Sequence, residues 1–205
     1  MLKKRGFVIF NLVLVLTLSL LLFLSFVGFA AGQPEVPVLE TPLVVTTCGQ
    51  SPGALMIWVL SKQIKLPCDR DDLLTAEKLQ AKAEAGTPYK TLIITTGTSM
   101  KGMGAAGVDI DFEIARIKAI IEEAKKQEIL IIGAHIEGMA RRVDDTDAAS
   151  IATVIPDSKV LLIREDSNEN GYFTQAAEEQ NVPIVLFKET LDLSALFKQL
   201  FNMEG

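Results

Sequence analysis

Residues 43–53 read LVVTTCGQSPG, and this stretch decides the fold. Leu43 to Thr47 form a buried-strand pattern that stops at Cys48-Gly49 and turns straight into a helix. Ser51 is placed to cap that helix. Pro52 is placed to open it, because proline lacks only an N–H that the first turn leaves unpaired anyway. In a doubly wound sheet the first strand lies near the middle, so the loop after it faces the ligand crevice of such folds. Amides at a helix start favour an anion. The loop thus offers Cys48, Gly49, Gln50 and Ser51 as candidate ligand-binding residues.

Working outward, further aliphatic runs recur at domain-like spacing. Thr91 to Thr96 contains Leu92-Ile93-Ile94, Ile129 to Ala134 is a third strand and Lys159 to Arg164 a fourth. Val182 to Phe187 reads as the fifth. Unbroken runs such as Val160-Leu161-Leu162-Ile163 mean burial on both faces, the mark of a parallel sheet. Helical patterns fill the gaps, including a stripe of Ile110, Ile114, Ile117, Ile121 and Ala124. The expected fold is an α/β three-layer sandwich with a five-stranded, mainly parallel sheet in flavodoxin-like or Rossmann-like order.

The N-terminus has a different composition. Lys3, Lys4 and Arg5 precede an apolar run over residues 7–29, and Gly28-Phe29-Ala30 has the small-x-small pattern of a cleavage site. Residues 1–30 therefore read as a secretory signal, 31–41 as a proline-rich linker and 42–205 as one α/β domain. The expected location is secreted or periplasmic. The alternative is an uncleaved anchor over residues 7–29, which would be the chain's one membrane attachment. Cleavage after Ala30 removes three basic residues and no acidic one, leaving 17 against 26, a net charge of −9. A body that acidic argues against nucleic acid as a partner. A small-molecule ligand is the expected partner, and the oligomeric state is left open.

Two cysteines in an exported chain invite a disulfide. Between them, however, the helix from residue 52 to 66 would span roughly 20 Å at ~1.5 Å per residue, against a Cα separation of about 7 Å that a disulfide tolerates. Two free thiols are expected, with Cys68 near a surface turn.

Polar and glycine residues gather where the strands end. After the second strand come Gly97, Thr98, Ser99, Lys101 and Gly102, in a glycine-rich stretch over residues 97–107 that reads as a mobile flap. Gly102 to Gly107 spells G-x-G-x-x-G, but it starts five residues after Gly97, and the next strand ends in Gly133-Ala134-His135 rather than a ribose-binding acid. A Walker-A loop fails because Met103-Gly104 stands where Lys-Ser/Thr is needed. No cofactor is expected. After the third strand come His135, Glu137, Arg141 and Arg142, the arginines being able to clamp a carboxylate or phosphate. Glu165 follows the fourth strand.

His135 is the single histidine, and a lone histidine is more often a hydrogen-bonded structural residue than a catalyst, although its place at a strand end suits function. One histidine without an organised carboxylate pair supplies too few ligands for a metal site. Cys48, at a helix start, and His135 are the candidate catalytic residues, as a nucleophile and its base. Two classes stay open: a module that binds a small anionic metabolite, and an enzyme using Cys48 and His135 in acid–base or thiol chemistry.

The segments TTCGQSPGA (46–54), GTSMKGMGAAGVD (97–109), GAHIEGMARR (133–142) and REDSNENGYFT (164–174) together resemble an uncharacterised family of exported bacterial proteins, a domain of unknown function. The resemblance implies export and an α/β domain, and it carries no assigned activity.

Overall fold

The computed structural model describes residues 34–203. The signal or anchor expected over residues 1–30 lies outside them. Residues 34–40 are neither helix nor strand. Leu39 is buried among the core residues, and its amide donates to the Leu200 carbonyl at 2.8 Å. Among the described residues no helix is long and apolar enough to cross a membrane.

The sheet has six parallel strands: β1 (Leu43–Cys48), β2 (Cys68–Arg70), β3 (Thr91–Thr96), β4 (Leu130–His135), β5 (Val160–Arg164) and β6 (Ile184–Phe187), in the order β2-β1-β3-β4-β5-β6. The first five positions follow the flavodoxin order. The expected count of five misses β2. Its three residues, Cys-Asp-Arg, carry no aliphatic run, because an edge strand beside β1 leaves Asp69 and Arg70 exposed. Cys68 is buried at the start of β2, paired in register with Leu43, not on a surface turn. Cys48 lies at the other end of β1, and both thiols are free.

Among the described residues seven α-helices flank the sheet: α1 (Gly53–Gln63), α2 (Ala76–Glu84), α3 (Met100–Ala106), α4 (Ile110–Lys126), α5 (Asp145–Val154), α6 (Tyr172–Gln180) and α7 (Leu193–Leu200). Successive strand side chains point to opposite faces. Val45, Ile93, Ile132 and Leu162 meet α1 and α7 through Ile57, Leu60, Leu193 and Phe197. Val44, Leu92, Ile94 and Ile131 meet α2 and α4 through Leu79, Ile117, Ile120 and Ile121. Further along that face Leu161 and Ile163 meet Ile151 of α5 and Phe173 of α6.

The glycine-rich stretch after β3 is helical, not a flap. Ser99 Oγ accepts from the Gly102 amide at 3.1 Å, Met103 is buried, and Gly107 ends α3 in the left-handed region at φ 71°. Seven residues with two internal glycines have poor helix propensity, so only the tertiary support described below explains this helix. On α4 the buried stripe is rotated from the expected one. Glu113 and Arg116 join Ile117, Ile120, Ile121 and Ala124 inside, while Ile110 and Ile114 are half-buried.

Candidate functional site

The crevice of this topology lies between the C-terminal ends of β1 and β3, where the chain leaves in opposite directions. Here the two loops bridge each other. Gln50 and Thr98 form an isolated antiparallel bridge, and the Ser99 amide donates to the Gly49 carbonyl at 2.8 Å. Gly102 packs so tightly on Gln50 that a Cβ at that position would sit 2.1 Å from its carbonyl oxygen.

The anion expected at these amides is present, supplied by the chain itself. Glu113 Oε2 accepts from the Gly49 amide at 2.8 Å and from Gln50 Nε2 at 3.1 Å. Arg116 holds that carboxylate through Nη2 at 2.7 Å and Nε at 3.0 Å, and its remaining donors reach the Thr47 carbonyl at 2.6 Å and the Leu74 carbonyl at 3.0 Å. On the other side Glu137 Oε1 accepts from the Gly53 amide at 3.0 Å, where α1 begins. Ser51 does not cap α1: its hydroxyl has no hydrogen-bond partner, the helix opens at Gly53 behind Pro52, and Glu137 takes over the capping. Arg141 Nε pairs with Glu137 Oε2 at 3.0 Å and Nη1 donates to the Thr98 carbonyl at 2.7 Å. Its stem lies over Gly97, whose φ of 110° and lack of a Cβ leave the room.

The second loop is tied to α5 in the same way. The Gly97 amide donates to Ser150 Oγ at 3.0 Å, and Ser150 donates to the Cys48 carbonyl at 2.6 Å. Thr98 donates through its amide and hydroxyl to Asp147 Oδ1, each at 2.8 Å. Of the remaining candidates, Lys101 is exposed on α3, and Glu165 is exposed on a short 3-10 turn after β5. Neither reaches the bridged loops through a described hydrogen bond.

Cys48 and His135 are not brought together. In register Cys48 pairs with Thr96, and His135 follows the pair Thr95–Ala134, so β3 stands between them. Two strand spacings put them about 10 Å apart. Burial pushes the Cys48 thiol up to about 11, which leaves little thiolate near neutrality. His135 is wholly buried, and desolvation pushes it down to about 4. Its Nε2 faces the Gly138 carbonyl at 3.2 Å, which can only accept, so Nε2 carries the proton and Nδ1 accepts from Thr96 Oγ1 at 2.8 Å. The ring also stacks against Phe173, with centroids 5.3 Å apart. The ring is thus neutral near pH 7 and paired at both nitrogens.

A pH effect follows. Unfolded His135 binds a proton near pH 6.5 and folded His135 only near 4. Between those values the unfolded state holds more protons, so stability falls as pH falls. Between pH 7 and 5 this residue should cost the native state ~2 kcal/mol. Urea unfolding of wild type and His135→Gln at both pH values checks it. Equal losses in the two proteins would exclude the effect.

Arg142 has a different fate from its neighbour. Nη1 donates to the Ser167 carbonyl and, at 3.0 Å, to Asn170 Oδ1, and the guanidinium lies over the Tyr172 and Phe173 rings at 5.1 and 5.2 Å. Among the described residues Nε and Nη2 have no acceptor. Arg142 lines a pocket of about 140 Å³ together with Asp144, Ala148, Ile151 and Tyr172.

Sequence reasoning missed Glu113, Arg116, Asp147 and Ser150, and placed Glu137 at the strand-end edge without a role. A readable signal existed for the first two: charges at 113 and 116 fall on the same helical stripe as Ile117 and Ile120.

Fold and site together define a flavodoxin-order α/β domain whose switch-point crevice is closed by its own glutamate–arginine pairs. The chain belongs to the domain of unknown function DUF6305, which matches residues 40–201. No curated protein matches it. Among solved structures it is similar to a psychrotrophic esterase from Pseudoalteromonas sp., with 8% identity, a TM-score of 0.34, and 79% of this chain and 96% of that chain covered. It is also similar to a GDSL-like lipase from Bacteroides thetaiotaomicron, with 13% identity, a TM-score of 0.37, and 85% of this chain and 93% of that chain covered.

Proposed function

We propose that this protein is a non-catalytic binding module that captures a small metabolite by its anionic group outside the cytoplasm, at the pocket beside Arg142. One observation carries the reading. Arg142 is held in place by Ser167, Asn170 and two aromatic faces, yet among the described residues its Nε–Nη2 edge has no acceptor. That edge is the fork which grips a carboxylate through two parallel hydrogen bonds. A pocket of about 140 Å³ holds a ligand of few non-hydrogen atoms. Ala148 and Ile151 offer such a ligand an apolar wall. By contrast, Gly49 and Gly53 already bind carboxylates of the chain, and the thiol and imidazole are buried and separated.

Titration calorimetry with short-chain carboxylates and inorganic phosphate tests it. Arg142→Lys keeps the charge and loses the fork, and should weaken carboxylate binding about tenfold or more, given the ~1.5–3 kcal/mol of a hydrogen bond to a charged group. Lys101→Ala should leave binding unchanged. Binding that survives Arg142→Lys but falls in Lys101→Ala would sink the assignment.

Export rests on residues 1–30. Intact-mass measurement on protein recovered outside the cytoplasm is expected to show a chain beginning near Ala31. Retention of Met1 on membrane-bound material would mean an anchor instead.

A further inference from the structure

Resting on the anion-binding reading of the Arg142 pocket, we infer that its ligand is a zwitterion: an α-amino acid with a mid-sized apolar side chain, its carboxylate on Arg142 and its ammonium on Asp144. Both side chains line the same pocket, and no ion pair joins them among the described residues. Two opposite charges that share a small cavity without pairing leave a place for a ligand carrying both.

The two groups are also fixed independently of any ligand. Asp144 is the N-cap of α5, and its Oδ1 accepts from the Thr146 and Asp147 amides, each at 2.9 Å, and from Thr146 Oγ1 at 2.7 Å. No described donor reaches Oδ2. The Asp147 amide, with the Thr146 hydroxyl, holds this carboxyl below the usual carboxylate range. A plain anion beside it would meet repulsion as well as the pull of Arg142. A ligand with an ammonium one carbon from its carboxylate turns that repulsion into attraction.

The side chain of such a ligand has somewhere to go. Tyr172 is the common wall between this pocket and a second depression of about 350 Å³, lined by Ile155, Pro156 and Ala176 and, on its polar side, by Gln175, Glu179 and Gln180. Ile151 in the first and Ile155 in the second stand one helical turn apart. An apolar side chain that passes Tyr172 would meet the carbon surface of Ile155, Pro156 and Ala176 on the far side.

The test compares three probes by titration calorimetry: leucine, 4-methylpentanoate, which lacks the ammonium, and 3-methylbutylamine, which lacks the carboxylate. Wild type should bind leucine about tenfold more tightly than 4-methylpentanoate, the scale of one charge-assisted pair. Asp144→Asn keeps the helix cap, since asparagine is an equally good N-cap. It should abolish the preference for leucine while 4-methylpentanoate binds at least as tightly as before, and an unchanged melting curve will show that the fold is intact. If wild type binds 4-methylpentanoate as tightly as leucine, or Asp144→Asn keeps the preference, the zwitterion is wrong and the anion site stands. If neither carboxylate binds, or the amine binds as tightly as leucine, the anion site fails as well.

Discussion

Arg116→Ala is expected to lower the stability of the protein by roughly 3–5 kcal/mol, the range for breaking a buried ion pair from one side. Arg116 is 7% exposed and Glu113 is fully buried. Truncation would strand the Glu113 carboxylate in the interior and orphan the Thr47 and Leu74 carbonyls, which Arg116 now serves at 2.6 and 3.0 Å. The Gly49 amide and Gln50 would still reach Glu113, but a carboxylate with those two donors lacks its counter-charge. Glu113→Ala should cost a similar amount, since it leaves the guanidinium unpaired. The double variant should cost much less than the sum of the two, because residues in one network are coupled. Urea unfolding of the three variants measures this. Additive losses, or a loss under about 1 kcal/mol for Arg116→Ala, would mean that the pair does not hold the β1 loop.

The second large effect separates two glycines of the same short helix. Glycine to alanine inside a helix ordinarily gains ~0.5–1 kcal/mol. At Gly104 a Cβ would meet nothing within 4 Å, so Gly104→Ala should be stabilising by that amount. At Gly102 the same Cβ would lie 2.1 Å from the Gln50 carbonyl oxygen and 3.1 Å from its carbon. Backbone cannot give way as a flexible side chain does. Gly102→Ala must therefore push α3 off the β1 loop, costing ~1–3 kcal/mol or more, as overpacking does. Opposite signs in thermal melts of the two variants are the expected result. A stabilised Gly102→Ala would restore the reading of residues 97–107 as a free flap.

Both predictions rest on features that a linear reading finds only in part. The aliphatic runs at Leu92-Ile93-Ile94 and Val160 to Ile163 announced central parallel strands, because burial on both faces leaves no polar alternation to read. β2 was not legible, because three residues at an edge need no hydrophobic signature to pair with β1. α3 reads as loop in the sequence because its glycines disfavour a helix locally. It is stabilised by the Ser99 cap, by Met103 in the interior and by the close approach of Gly102 to Gln50 across half a hundred residues of chain.

For the site, the sequence points to the C-terminal edge of the sheet, where the polar loops gather. The gathering of polar loops at the strand ends follows from parallel topology alone, and the pull of helix-start amides on an anion follows from the peptide dipole. Which of those groups remain available was decided by tertiary partners. Arg141 and Arg142 are adjacent in the chain and identical in chemistry, yet Arg141 closes onto Glu137 and Thr98 while Arg142 reaches Ser167 and keeps one edge open. Burial and pairing depend on which distant side chains arrive at the same place. His135 and Cys48 thus carry the residue types of a catalyst and the surroundings of a core, and only the strand that folds between them determines which of the two they are.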